Sequence, residues 1–460
     1  MRILFVNWKD WSHPQAGGAE VVLKELCKRL IADKHQVSLL TAVYPIKITQ
    51  NNSDKIETQK ISPQFENLDG ISVIRTGQNK FSHSLFANFY YQKNLVGQFD
   101  LVVEMVNTAP YFLGFNNLIN NFWANLKPRF GHDFGNIGEL TSQSTNKLPS
   151  ETPDESSTKK IELKEIPKNT KFALFYHQLA REIWWLETKF PLSFIGFYLL
   201  EPIATWLQSL LKCQTITISQ SSKNDLARFG FNPSKIAIIS EGIDNEPLKN
   251  LQTQIPKEAK FTLLYHGSLR SMKRPLEVLE SFLKFKKLLE SQLKEEKSSG
   301  ETQNLCQLWV SGKGEEMEKC QTFCQENGIE KMVKFWGRTS DELKLELMQK
   351  SHLGCVTSIK EGWGLVVTET NSMGTPYVVY DVDGLRDSGA LDGNFVVANS
   401  DQMAQKILEI YNLWTAENEE NETQKPYTQL CQKALNSTKK ITFENCYKGF
   451  CQALGVGNGK

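Results

Sequence analysis

Two glutamates and two glycines stand close together in Glu361-Gly362-Trp363-Gly364-Leu365-Val366-Val367-Thr368-Glu369. The stretch follows an apolar run, Leu353–Val356, and opens a helical pattern that stops at Gly374, with Pro376 just beyond. Gly362 and Gly364 carry no side chains, so a ligand can come close to the backbone N–H groups. Those N–H groups lie at a helix N-terminus, where the dipole favours an anion. Glu361 and Glu369 need a different partner, because a carboxylate repels a phosphate. Carboxylates accept hydrogen bonds from hydroxyls. A ligand with a diphosphate flanked by hydroxyls, as in a nucleotide sugar, satisfies both requirements.

A diphosphate also needs cations. Tyr265-His266-Gly267-Ser268-Leu269-Arg270-Ser271-Met272-Lys273-Arg274-Pro275 leaves a strand and enters a helix. Lys273 is placed as a point charge for phosphate, with Arg270 or Arg274 in support. Val310-Ser311-Gly312-Lys313-Gly314 is a strand followed by a Gly-x-Gly turn, weak evidence by itself. In the first half, Gly17 and Gly18 open a helix and offer a second close backbone approach, with Glu20 in the first turn. His177 ends a strand pattern, where a reacting group would face a cleft; Arg181 and Glu182 follow, set to face an acceptor or to pair with each other. Asp381-Val382-Asp383 has the form of a metal-binding Asp-x-Asp, but lysine and arginine already serve the diphosphate, and no metal ligand is assigned.

The elements that must position these residues alternate between strand and helix. In the first half the strand candidates are Arg2–Val6, Val37–Thr41, Ile71–Arg75, Leu101–Met105, Phe172–His177, Thr215–Ser219 and Ile236–Ile239. After a polar stretch, 245–260, come Phe261–His266, Gln307–Val310, Val333–Trp336, Leu353–Val356 and Tyr377–Tyr380. Helices are expected over Gly18–Asp33, Pro275–Leu289 and Asp341–Gln349, and a helical tail from about Tyr427. The alternation implies mostly parallel sheets with ligands outside the carboxyl ends of the strands. Polar residues 136–170 read as a flexible surface insertion, and 288–304 as a second insertion at a helix end.

Composition narrows the field. Lys and Arg number 53 against 52 Asp and Glu, so the charge balance gives no reason to expect nucleic acid. Nine scattered cysteines, an odd number with no Cys-x-x-Cys, fit a reducing cytosol better than a disulfide framework or zinc site. The N-terminus is too soon broken by Lys9 and Asp10 for a signal peptide. Phe190–Leu211 is the most apolar later stretch. Pro191, Glu201 and Pro202 argue against a spanning helix, and a place in the core is expected, with contact to a membrane surface left open.

Residues 361–379, ending in Met373-Gly374-Thr375-Pro376-Tyr377-Val378-Val379, resemble the signature of the retaining GT-B glycosyltransferases of family 4, and the similarity spans most of the chain outside the two insertions. The resemblance implies an α/β GT-B fold: two Rossmann-like domains facing across an interdomain cleft. The acceptor-side domain would cover 1–250, with 135–170 as a disordered insertion. The nucleotide-sugar domain would cover 258–425, and a helical tail 426–460 would pack back on the first domain. It implies that Glu369 holds the ribose, Glu361 contacts the transferred sugar, and the amides of Gly362, Trp363, Gly364 and Leu365 support the diphosphate. His177 would lie beside the transferred sugar as a catalytic residue, with Glu361 and Lys273. Gly17, Gly18, Gly267, Arg270, Gly312 and Arg338 would border the donor, and Arg181 and Glu182 the acceptor. The family pattern has an arginine after the first glycine of this basic loop; here Ser268 stands in its place. No cofactor is implied beyond the nucleotide-sugar substrate. The acceptor would be a glycan or a lipid-linked or small molecule, and the location the cytoplasm, with attachment to the inner face of a membrane left open. The alternative is a non-catalytic nucleotide-sugar- or membrane-binding relative of the same fold. A nicotinamide-dependent oxidoreductase would need Gly-x-Gly-x-x-Gly after the first strand, and only Gly17-Gly18 is there.

Overall fold

The computed structural model describes residues 1–14, 16–48, 58–62, 64–106, 110–115, 169–243, 246–253, 255–295, 302–419 and 425–457. Two separate sheets organise them. The first-half strands are β1 (Arg2–Val6), β2 (Gln36–Thr41), β3 (Pro45–Ile48), β4 (Thr58–Ile61), β5 (Phe65–Leu68), β6 (Ile71–Arg75), β7 (Leu101–Val106), β8 (Lys171–Tyr176), β9 (Gln214–Thr217) and β10 (Ile236–Ile238). Eight of them form one sheet in the order β10-β9-β8-β7-β1-β2-β6-β5, while β3 and β4 pair separately as a hairpin. Every neighbour in the large sheet is parallel except the edge pair β5–β6.

The second half contributes β11 (Phe261–His266), β12 (Cys306–Ser311), β13 (Val333–Gly337), β14 (Leu353–Val356), β15 (Tyr377–Tyr380) and β16 (Phe395–Val397). They form one parallel sheet in the order β13-β12-β11-β14-β15-β16. Central strands such as β7 and β14 are buried along their whole length, as a parallel sheet covered on both faces requires. The expected strands are all present within a residue or two. The hairpin β3–β4, the antiparallel edge β5 and the short β16 were not among them.

Helix patterns hold with one correction. The helix starting at Pro275 runs on to Glu295, because Leu289 is fully buried and Lys286 pairs with Glu290 one turn on. Residues 288–295 are therefore helix, not insertion; 302–305 form a further short helix, and 296–301 lie outside the described residues. So does the expected 136–170 insertion, apart from 169 and 170.

The tail crosses back. Its last helix, Phe443–Leu454, packs on the first half: Phe450 stacks on Phe5 with ring centroids 5.9 Å apart, and the Tyr447 hydroxyl bonds Asp33 at 2.7 Å. At the crossing, Ile243 and Thr442 form an isolated parallel bridge, and Gly242 lies so tightly on Phe443 that a Cβ there would stand 2.3 Å from its backbone nitrogen.

The stretch Phe190–Leu211 departs from expectation. It lies on the surface rather than in the core, as helical turns over Leu192–Ile195, Gly196–Leu200 and Glu201–Ser209. No helix among the described residues is long and apolar enough to cross a membrane.

Candidate functional site

Strand ends of the second half build one wall of the gap between the halves. After β11 the chain makes a short turn, Ser271–Lys273, and after β14 it runs through 357–364. These two loops meet in an ion pair between the Lys273 ammonium and Glu361 Oε1, which also accepts from the Ser358 hydroxyl at 2.8 Å. Gly364 sits at φ 84°, a left-handed conformation open to glycine, and caps the helix Leu365–Ser372. One turn into that helix, Glu369 lies 3.4 Å from Lys344 on the neighbouring helix Asp341–Lys350. Each acid is thus held by one lysine, and both carboxylates are only 15% exposed. Lys344 was missed in the sequence, since nothing there links it to Glu369.

Other donor-side residues have mixed placements. The Arg270 Nε donates to the Ser268 hydroxyl at 3.2 Å, so this exposed guanidinium folds back over the serine. Arg274 takes φ 45°, and its carbonyl accepts from Thr357 at 2.8 Å, which locks the two loops together. The Gly-x-Gly turn has a structural reason. A Cβ on Gly312 would stand 1.8 Å from the Gly267 carbonyl, and one on Gly314 2.1 Å from that of Leu269. Arg338 is exposed just beyond β13, beside this turn through the Gly312 N–H on the Gly337 carbonyl at 2.8 Å.

The first half supplies the facing wall, mostly as backbone. The Gly17 N–H donates to Glu20 at 2.7 Å, and Lys9 lies 3.4 Å from the same carboxylate. Glu20 is buried in closing its own loop. A Cβ on Gly18 would stand 2.7 Å from Leu365 across the gap, so the two walls touch there. His177, just past β8, lies at the same seam: its carbonyl would be 2.8 Å from a Cβ on Gly362. Its Nδ1 is 2.7 Å from Glu241, its ring stacks on Phe175, and its buried Nε2 has no partner among the described residues. A carboxylate on Nδ1 places the hydrogen there and leaves Nε2 able to accept. Glu241 is a second residue that sequence reading passed over.

Arg181 and Glu182 do not pair with each other. The Arg181 guanidinium donates to the Phe197 carbonyl at 2.9 Å and stacks on the Phe197 ring, so it braces the surface helix. Glu182 instead joins a cluster around Lys360, at 3.6 Å, with Asp225 at 3.3 Å and Asp383 in direct contact. Burial pulls the Lys360 ammonium down, but Asp383, Asp225 and Glu182 outweigh it and the net direction is up. This cluster bridges the halves, as do the Ser221 N–H on Asp387 at 2.8 Å and Trp363, which is buried in the first-half core. Of the Asp-x-Asp pair, Asp383 is taken by Lys360 and Asp381 by Arg386.

Two α/β sheets, one wholly and one mostly parallel, match the GT-B architecture of solved glycosyltransferase structures. Residues 249–429 match the family described as glycosyl transferases group 1. Solved structures share the fold over nearly all of the chain. WaaG, a glycosyltransferase of lipopolysaccharide biosynthesis, is 14% identical with a TM-score of 0.60, covering 99% of this chain and 100% of its own. Sucrose-phosphate synthase from Thermosynechococcus elongatus is also 14% identical, with a TM-score of 0.58, covering 98% and 97%. HepE of Anabaena, solved with UDP-glucose, is 13% identical with a TM-score of 0.56, covering 99% and 100%. In sequence, an uncharacterized glycosyltransferase of Methanocaldococcus jannaschii is 20% identical over 404 residues, covering 84% of this chain and 82% of its own.

Proposed function

We propose that the protein is a retaining, metal-independent glycosyltransferase of family 4, which moves a sugar from a nucleotide-diphosphate donor to a glycan, lipid-linked or small-molecule acceptor. The observation that carries this reading is the Lys273–Glu361 pair beside the Gly364-capped helix, at the gap and within the matched domain. The donor is held by the second half, about 258–425, and the acceptor approaches along the first, 1–250. Lys273 releases part of its hold on Glu361 to the diphosphate, and Arg270 stands in for the arginine that Ser268 replaces. Amides at the start of the helix add further stabilisation of the leaving group. Glu361 then accepts from a sugar hydroxyl and Glu369 from the ribose. HepE's capture of UDP-glucose supports a nucleotide sugar as donor.

The transfer step balances without a protein nucleophile. The C1–O bond to the diphosphate breaks and its electrons stay on the leaving oxygen. The acceptor oxygen bonds C1 from the same face and passes its proton to that oxygen. His177 Nε2, fixed by Glu241, contacts the sugar as this develops. A cytoplasmic location fits nine free cysteines, of which Cys355 is pushed up to about 12 by burial.

The test is acceptor-free hydrolysis of UDP-, GDP- and ADP-sugars by pure protein, with and without EDTA, reading the anomer first released. Turnover that survives EDTA with retained configuration supports the proposal. Inverted product or loss in EDTA refutes that part. Binding without turnover, favoured by Ser268, would leave the non-catalytic relative.

A further inference from the structure

The helical stretch over 192–209 is inside out. Its buried positions are Ser193, Gly196, Glu201, Thr205 and Gln208, small or polar. These are satisfied within the fold. Glu201 accepts from the Ala180 and Arg181 N–H groups at 2.5 and 2.7 Å, and Gln208 receives the Tyr176 hydroxyl and donates to Glu104 at 3.3 Å. Gly196 lets the backbone lie on the Trp184 ring, where a Cβ would stand 2.1 Å away.

Facing outward are Phe190, Phe194, Tyr198, Leu199, Ile203 and Trp206, with exposures from 46% to 79%. A surface helix in water puts its apolar stripe inward; this one turns it out. Monomeric proteins rarely show so continuous an apolar face without a partner for it.

Charge says which partner. Exposed Lys189 and Lys212 stand at the two ends of the stretch, and the Lys235 ammonium rests on the Lys212 carbonyl at 2.8 Å. Exposed Glu187 is the one acid between residues 185 and 212 that is not buried. An apolar face about 27 Å long, with indole and phenol groups on it and cations at its ends, matches an anionic bilayer surface. The opposite face is committed to the fold, so the helix lies flat rather than crossing.

We infer that this face seats the protein on an anionic lipid surface. The inference goes beyond the enzymatic reading and is measured without donor or turnover. If that reading also holds, the seat adjoins the cleft. The helix Ile183–Glu187 touches the turn that carries Lys273, so a lipid-borne acceptor would arrive beside the site.

Flotation of the full chain tests it, using vesicles of phosphatidylcholine alone or mixed with phosphatidylglycerol. The expected result is flotation with the mixed vesicles and much less with the neutral ones. Leu199→Glu with Ile203→Glu should lower partitioning by about tenfold or more. Lys189→Glu and Lys212→Glu should each lower it about fivefold in anionic vesicles only. Near-unchanged thermal midpoints would show that these exposed changes leave the fold intact. Absence of flotation with either vesicle would overturn the inference, and so would flotation by the Glu double variant equal to wild type. Self-association through this face, seen as a dimer that the double variant dissolves with no lipid binding, would overturn it in favour of a second copy.

Discussion

The two walls of the cleft use charge in opposite ways. In the second half, Glu361 and Glu369 each meet one lysine at the surface of the gap, so the carboxylates and ammoniums can be shared with an incoming polar ligand. In the first half, apart from Glu182 and Asp225 on Lys360, much of the charge is held within its own fold. Glu20 closes its own loop, Arg181 braces the surface helix, and Glu104 sits fully buried on β7. His177, held by Glu241, brings to the seam a buried Nε2 without a partner among the described residues. Exchangeable ion pairs suit a wall that binds and releases a charged donor. Internal ones suit a wall that has to keep its shape.

The comparison breaks first at Lys273. Lys273→Ala should lower transfer about a thousandfold, roughly 4 kcal/mol, if the ammonium carries leaving-group charge. Steady-state kinetics with the working donor would show it, and a change within threefold would remove the second wall's distinction. Next comes Glu104. Burial raises it from an ordinary 4.5 to about 7, against the pull of the Leu113, Tyr111 and Phe112 amides. The folded form therefore holds its proton longer than the unfolded chain. Stability is fully present below pH 4.5 and falls as pH rises to about 7. Denaturant titrations should show wild type losing about 3 kcal/mol across that window relative to Glu104→Gln. Parallel curves for the two would mean this acid is not a structural one.

Lys360 tests the seam joining the walls. Lys360→Met leaves Asp383, Asp225 and Glu182 facing one another and should cost about 2 kcal/mol, less than a fully buried pair because its partners are partly exposed. A thermal midpoint equal to wild type would show that the Lys360 cluster does not hold the halves together. Smallest is Glu241→Gln, which keeps the shape but weakens control of the imidazole. It should lower kcat about tenfold while KM for donor stays put, and Glu241→Asp should restore part of the loss. An unchanged kcat would make Glu241 a packing group.

Much of this was legible in the residues. Gly362 and Gly364 after an apolar run announced a strand, a tight turn and a helix start, because few other residues permit that turn. Lys273 was found for the same reason, as a cation at a strand end. What escaped depends on contacts between distant segments. Lys344 and Glu241 sit in no motif, and only the fold brings them to Glu369 and His177. The short edges β5 and β16 carry too few residues for period-2 alternation to show. Apolar content predicts burial for Phe190–Leu211. The fold instead buries its few polar groups, which only hydrogen-bond partners on β7, β8 and the 180–184 turn explain.

The bridge between Ile243 and Thr442 has a mechanical consequence. The chain passes between the halves there in both directions, and the two passages lie side by side like the leaves of a hinge. A swing about that line would keep the bridge, whereas sliding one half over the other would break it. Cutting the chain near residue 250 would not free two working pieces, since the closing helix of the second would lose the surface that completes it.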